Sequence, residues 1–202
     1  MQFSSKLIEQ AVDAFAGLPG IGRKTALRLV LHLIQQPPEV SQAFSAAIVR
    51  MREGVRECSR CHNLSDESLC TVCSDTRRNP QLVCVVESIR DVMAIEETQQ
   101  YHGMYHVLGG VISPIEGVGP EQLNIRSLVQ RVQEGDIQEI IMAVSPTIEG
   151  ETTIYYITKQ LEGQPVRVST IARGVAFGGE LEYADGITLG RSIVARVPYK
   201  LD

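Results

Sequence analysis

Gln81-Leu82-Val83-Cys84-Val85-Val86-Glu87-Ser88 is an apolar run that stops on a carboxylate and a hydroxyl. The fold class turns on it. Continuous apolar residues with no polar alternation fit a strand covered on both faces, as in a parallel sheet. Ser88 is then a cap for a helix carrying Val92, Met93, Ile95 and Glu96. The same order recurs downstream: Ile140-Ile141-Met142-Ala143-Val144 precedes Thr147-Ile148-Glu149-Gly150-Glu151 and a helix with Ile154, Tyr155, Ile157 and Leu161. Val166-Arg167-Val168 is a third strand. Strands alternating with helices predict a parallel α/β sheet whose functional groups lie just beyond the strand C-termini. Gly109-Gly110 and the stretch from Gly117 to Pro120 are loops within it, and Cys84 is a small buried apolar residue.

Immediately upstream lie Cys58-x2-Cys61 and Cys70-x2-Cys73, eight residues apart. A Cys-x-x-Cys turn aims two sulfurs at one point, so two facing turns satisfy tetrahedral Zn²⁺ at about 2.3 Å per bond. Asn63, Ser65 and Asp66 supply turn chemistry for the short spacer. The alternatives, two disulfides or four idle thiols, fit a reduced compartment poorly. Met1-Gln2-Phe3-Ser4-Ser5-Lys6 begins no apolar signal region, so a cytoplasmic chain is expected. His62 is read as a solvent-facing neighbour of Cys61. Four thiolates leave no open position for water, which makes the zinc structural.

Working toward the amino end, Leu7, Ile8, Ala11, Val12 and Phe15 recur at helical spacing, with Ser4 or Ser5 as cap. Ala26, Leu27, Val30, Leu31 and Ile34 make a second stripe, which Pro37-Pro38 ends. A third helix, from about Val40 to Arg56, is fixed by Phe44, Ala47, Ile48, Met51 and Val55. Between the first two helices, Gly17-Leu18-Pro19-Gly20-Ile21-Gly22 followed by Arg23-Lys24-Thr25 nearly spells a P-loop. An extra arginine precedes the lysine, and a helix stands where the phosphate cradle needs a strand. The stretch therefore describes a helix-hairpin-helix. Its glycines, Gly20 and Gly22, let backbone approach a phosphate, and Arg23, Lys24 and Arg28 lie where they reach the DNA backbone, away from the apolar stripe. Such contacts position a duplex or strand without reading sequence.

The charge distribution agrees. The 202-residue chain carries −5 overall, yet residues 1 to 80 hold ten Lys+Arg against eight Asp+Glu while the remainder holds nine against sixteen. DNA contact thus belongs to the first part, and the acidic remainder suits a metal ion or a basic protein partner. The length supports one medium domain plus small satellites. No stretch approaches the ~18 apolar residues of a membrane span.

Glu87, Glu149 and Glu151 are expected at one sheet edge, where carboxylates suit Mg²⁺ or form an acidic partner surface. Taken in order, the helix-hairpin-helix at Gly17 to Leu33, the four-cysteine finger, Cys84-Val85-Val86-Glu87-Ser88, Ser145-Pro146-Thr147-Ile148-Glu149-Gly150-Glu151 and Gly174-x3-Gly178-Gly179-Glu180-Leu181-Glu182 resemble the bacterial recombination mediator family RecR. The specificity rests on the order of five motifs that span essentially the whole chain. The resemblance implies a helix-hairpin-helix region over 1–56, a zinc finger over 57–76, a Toprim domain over 81–176 and a C-terminal oligomerisation arm over 177–202. It implies a homo-oligomeric ring, commonly a tetramer, that encircles single- and double-stranded or gapped DNA and works with RecO, and in some settings RecF, to load RecA. It places DNA contact on Gly20, Gly22, Lys24 and Arg28 and the acidic Toprim surface on Glu87 and Glu149.

Two departures stand out. Glu149-x-Glu151 replaces the Asp-x-Asp pair of Toprim nucleases and topoisomerases, and Ser145 stands where the family often has asparagine. Mg²⁺ is therefore the weaker expectation beside zinc. A noncatalytic clamp and adaptor is the leading reading. A Mg²⁺-dependent Toprim nuclease or topoisomerase-like enzyme is the alternative, but Tyr101, Tyr105, Tyr155 and Tyr156 sit among apolar neighbours that favour packing over nucleophilic work. A pure protein-interaction module would leave Lys24 and Arg28 without a task.

Overall fold

The computed structural model describes residues 5–175 and 178–198, so Ser4 as a cap, the start of the chain at Met1 and the proposed boundary at 176 and 177 lie outside the described residues. It divides into two units, Met1–Val55 and Arg56–Asp202.

In the first unit, α1 (Lys6–Ala16) packs on α2 (Arg23–Gln35) around buried Val12, Ala26 and Val30, with Ile8, Ala11, Phe15, Ile21 and Leu27 against them. Ser5 is the N-cap of α1, without a side-chain cap bond. The helix α3 (Pro38–Gly54) starts on proline, whose fixed φ suits a first turn. The expected anchoring of this helix needs correction. None of its residues is buried, and Phe44, Ile48 and Met51 are exposed, Phe44 stacking on Phe15 at 6.3 Å. Leu31 and Ile34 at the end of the α2 stripe are exposed as well. Period alone reveals an apolar face and says nothing of what covers it. Arg56, expected in this helix, instead opens a strand.

The second unit begins with a two-residue ribbon, β1 (Arg56–Glu57) antiparallel to β2 (Leu64–Ser65), and the short helix α4 (Thr71–Ser74). The main sheet holds β3 (Asn79–Val86), β4 (Gly103–Val107), β5 (Glu139–Ala143) and β6 (Arg167–Thr170) in the order β4-β3-β5-β6, all parallel. The central strand β3 is apolar from Leu82 onward because that half is covered on both faces; Val83 to Val86 are buried. The connecting helices are α5 (Ile89–Glu97), which packs on β3 and β4, and α6 (Ile125–Glu134) and α7 (Ile148–Gln160), which touch each other; a parallel sheet of this order is expected to have right-handed crossovers. Chain direction across the sheet reverses between β3 and β5. In open α/β sheets such a reversal is where ligand sites form. The strand β4 and the helix α6 are additions to the sequence reading.

Beyond β6 come a turn of 3-10 helix at Leu181–Tyr183 and the helix α8 (Gly186–Val194), in which no residue is buried; Tyr183, Ile187 and Val194 are exposed. No helix among the described residues is long and apolar enough to cross a membrane.

Candidate metal centre and nucleic-acid interface

Two backbone turns build the metal centre. Cys58 N–H donates to the Asn63 carbonyl at 2.7 Å and His62 N–H to the Cys58 carbonyl at 3.0 Å; the second turn closes with Ser74 N–H on the Cys70 carbonyl at 3.0 Å. His62 occupies the left-handed region at φ 62, which lets the first turn reverse. Asn63 and Ser65 hold the spacer through bonds from Leu64 N–H and Glu67 N–H. The ligand atoms of Cys58, Cys61, Cys70 and Cys73 consequently lie within 4.8 Å of one another, and all four residues are buried. Tetrahedral zinc places sulfurs about 3.8 Å apart at its usual bond length, so the set fits.

The thiols' electrostatics favour a cation. Burial raises the Cys58 pKa, but N–H donors from Cys70, Arg60 and Cys61 outweigh it and hold the thiol at about 6. Cys61 is driven upward by its bond with Cys73 and by burial, and Cys70 rises to about 11, chiefly through burial. One thiolate opposes the next unless a divalent ion lies between them, and Zn²⁺ bound by all four keeps no open coordination position.

The finger is bolted to the α/β domain. Val107 at the end of β4 donates its N–H to the Cys61 carbonyl at 2.8 Å. His62 corrects the sequence reading. It faces the domain in place of solvent, sharing a 2.8 Å hydrogen bond with Ser127 Oγ of α6 and a 3.2 Å contact with Glu57, and its ring meets His106 edge-on at 5.2 Å. His106 is fully buried and its Nε2–H donates to the Asn124 carbonyl at 2.8 Å; burial pushes its pKa down to about 3, so the ring is neutral. Below the finger, Arg78 donates to the Glu96 carboxylate and to the Gly103 carbonyl, and Tyr105 O–H donates to Glu96 at 2.7 Å. Neither Ser127 nor Arg78 stands out in the sequence, since an isolated serine or arginine carries no pattern.

In the first unit, Gly20 has φ 79, a conformation glycine adopts freely, and it turns the chain so that Gly22 becomes the N-cap of α2. No side chain caps those first N–H groups, and no heavy atom lies within 4 Å of where a Cβ would stand at Gly20 or Gly22. Open backbone and unsatisfied amides meet at one helix start. Lys24 and Arg28 are exposed on α2, whereas Arg23 pairs with Asp13 of α1 at 3.1 Å.

At the sheet's switch point, Glu87 directly follows β3, and Glu149 and Glu151 lie in the first turn of α7, which follows β5. Glu87 accepts the Ser145 backbone N–H, and Glu151 pairs with Arg173 beyond β6. Among the described residues, the cysteines form the one group of three or more His, Cys, Asp or Glu close enough to share an ion. Of the tyrosines, Tyr101 donates to the Leu82 and Met104 carbonyls and Tyr105 to Glu96, whereas Tyr155 is exposed and not packed as expected.

Family models match almost the full length: a RecR helix-hairpin-helix over residues 8–52, a RecR four-cysteine zinc finger domain over 55–75, a Toprim domain over 81–172 and a RecR C-terminal region over 174–197. The chain is 60% identical over 200 residues to the recombination protein RecR of Flavobacterium johnsoniae, covering 99% of this chain and 97% of that protein. It is 57% identical over 198 residues to the recombination protein RecR of Porphyromonas gingivalis, covering 98% and 96%. Against the recombination protein RecR of Amoebophilus asiaticus the identity is 56% over 199 residues, covering 98% and 100%.

Proposed function

The chain belongs to the RecR family of recombination proteins and carries its zinc finger, and from that premise we propose that it is a noncatalytic DNA clamp and adaptor. It acts in DNA repair and recombination. In this reading several copies, four in a ring, surround single- or double-stranded DNA at gaps and hand it, with RecO and in some settings RecF, to RecA in the bacterial cytoplasm. The four regions divide the work as 1–56 for DNA, 57–76 for zinc, 81–176 for the Toprim surface and 177–202 for assembly.

One observation carries the DNA role: exposed Lys24 and Arg28 stand beside the uncapped, side-chain-free start of α2. Amides and cations together suit a phosphate, and none of them reads a base. Gly20 and Gly22 keep the approach clear. Few phosphates per copy give weak binding, which linked copies raise through effective concentration. Glu87, Glu149 and Glu151 serve as an acidic surface for a basic partner. With Glu87 engaged by Ser145 and Glu151 by Arg173, two of the three carboxylates are already occupied by the protein itself.

The test is binding of labelled gapped DNA by fluorescence anisotropy. Lys24→Ala with Arg28→Ala should weaken it by about tenfold or more at moderate salt, with the circular dichroism unchanged. Undiminished affinity would reject the contact. Incubation with Mg²⁺ and supercoiled DNA should leave the DNA intact, and cutting abolished by Glu87→Ala would replace the adaptor reading with the nuclease one.

A further inference from the structure

Three consecutive amides at the end of β4 bind three different acceptors. Val107 N–H donates to the Cys61 carbonyl at 2.8 Å, Leu108 N–H to the Val86 carbonyl at 2.8 Å and Gly109 N–H to the Glu87 carbonyl at 3.0 Å. One short stretch of backbone therefore joins a residue of the metal centre to a residue of the acidic surface. Asn124, the N-cap of α6, braces that stretch. Its Nδ2–H donates to the Val107 carbonyl at 3.0 Å and its backbone N–H to the Leu108 carbonyl at 2.9 Å, and the side-chain amide lies 3.9 Å from where a Cβ would stand at Gly109. The Asn124 carbonyl accepts from His106 Nε2–H at 2.8 Å and from Ser127 O–H at 3.0 Å, while the Ser127 oxygen meets His62 Nε2 at 2.8 Å. These bonds close a circuit from Cys61 through Val107, Asn124, Ser127 and His62 back to Cys61. Buried His106 depends on the same hub, since its Nδ1 has no partner among the described residues.

We propose that Asn124 and Ser127 are positioning residues through which zinc in the four-cysteine site fixes the Glu87 end of β3, so that the acidic surface takes its shape only in the metal-loaded protein. An ion held by the Cys61 sulfur restricts that residue and with it the direction of its carbonyl, because ligand and acceptor belong to one residue. Val107 then meets its acceptor in one place. Without the ion the first cysteine turn keeps only its own bonds, Cys58 N–H on the Asn63 carbonyl and His62 N–H on the Cys58 carbonyl, and Val107 loses a fixed partner. The loosening passes to Leu108 and Gly109, next along the chain, and so to Glu87 and the Ser145 N–H that Glu87 accepts. Asn124 and Ser127 keep the turn and the strand end in register, and by linkage a surface held in place by a partner favours retention of the ion in return. That a basic partner uses this surface rests on the adaptor reading; the coupling between zinc and Glu87 does not.

The experiment is amide hydrogen exchange, read residue by residue by NMR on the purified holoprotein before and after a chelator withdraws zinc, with metal content followed by elemental analysis. Withdrawal should speed exchange at Val107, Gly109 and Ser145 by about tenfold or more, and leave unchanged Arg167 on β6, the opposite edge strand, which donates to the Gln138 carbonyl. With zinc bound, Ser127→Ala and Asn124→Ala should each speed Gly109 and Ser145 in the same direction, and Ser127→Thr, which keeps the hydroxyl, should restore the parent's rates. Gly109 and Ser145 indifferent to zinc withdrawal overturn the proposal. So does acceleration at every amide, Arg167 included, because the ion would then support the whole domain and not this one line. Parent-like rates in both alanine variants overturn the role given to the two side chains, and should Asn124→Ala fail to fold, Ser127→Ala and the parent decide. The readout needs no partner, so failure of the acidic surface to bind one would count against the adaptor reading alone.

Discussion

Ser145 donates its backbone N–H to the Glu87 carboxylate at 2.5 Å, clasping the loop after β5 to the end of β3 across the switch point of the sheet. A charged acceptor makes this bond stronger than a neutral one. Glu87→Ala should therefore cost about 1–2 kcal/mol in urea unfolding, and Glu87→Gln, which keeps an acceptor, should cost less. Equal stability of Glu87→Ala and the parent would show that the clasp contributes nothing.

Salt dependence separates phosphate contact from any other route to DNA. Each phosphate neutralised adds about 0.9 to the slope of log affinity against log salt on duplex and about 0.7 on single strands. Removing Lys24 and Arg28 together should flatten the slope by about 1.8 on duplex for each engaged copy. Gly22→Ala makes a companion test. Gly22 has φ −76 and open space around it, so the fold should keep its melting temperature while DNA binding weakens as the new methyl crowds the phosphate. A slope unaltered by losing both cations would place the contact elsewhere.

Acid should probe the joint between finger and sheet. Burial raises the Glu96 carboxyl, but hydrogen bonds from Arg78 and Tyr105 outweigh it, leaving its pKa below the ordinary 4.5. A carboxyl depressed by folding adds stability above its unfolded pKa and loses it as pH falls through the folded one. The parent protein should lose this contribution progressively below about pH 4.5. Glu96→Gln should be about 2 kcal/mol less stable at neutral pH and show a shallower decline on the acid side. Parallel acid limbs in thermal melts of the two proteins would remove Glu96 from the account.

Legibility tracked pattern length and neighbour chemistry. Leu82 to Val86 is readable because a strand covered on both faces has to be apolar at every position. The zinc site is readable because four sulfurs at fixed spacing have few other uses. The strand β4 escapes because it opens on Gly103 and contains His106, whose burial is made tolerable by the Asn124 carbonyl, a partner far from it in sequence. The helix α6 escapes because Ile125, Leu128 and Val132 are its buried apolar positions, set among six polar or charged residues. The acidic residues are half readable: Glu87 follows β3 and Glu149 opens α7 after β5, but the bond of Glu87 depends on Ser145, and the Glu151 pairing depends on Arg173, which lies on another loop. His62 misleads for the same reason, since Ser127 is met only after the chain has folded.

Gly150 is where backbone approach leaves the least room. A Cβ built there would stand 2.0 Å from the Ser145 carbonyl oxygen and 3.1 Å from Val144 Cγ1. The first turn of α7 closes over the loop after β5, with Gly150 N–H donating to Thr147 Oγ1 at 3.0 Å to cap the helix. Neither the carbonyl nor the buried Val144 is the end of a flexible side chain, so added volume has to move the backbone. Gly150→Ala should then cost about 2–3 kcal/mol, the range of an overpacked core, and disturb the Ser145–Glu87 clasp with it. Gly163→Ala supplies the comparison: Gly163 has φ 85 but open space, so its penalty is conformational alone, about 1–2 kcal/mol. In a double-mutant cycle, Gly150→Ala should mask most of the loss caused by Glu87→Ala, because both act on the same loop. Simple additivity of the two would mean that the turn of α7 and the clasp at β3 hold the switch point independently.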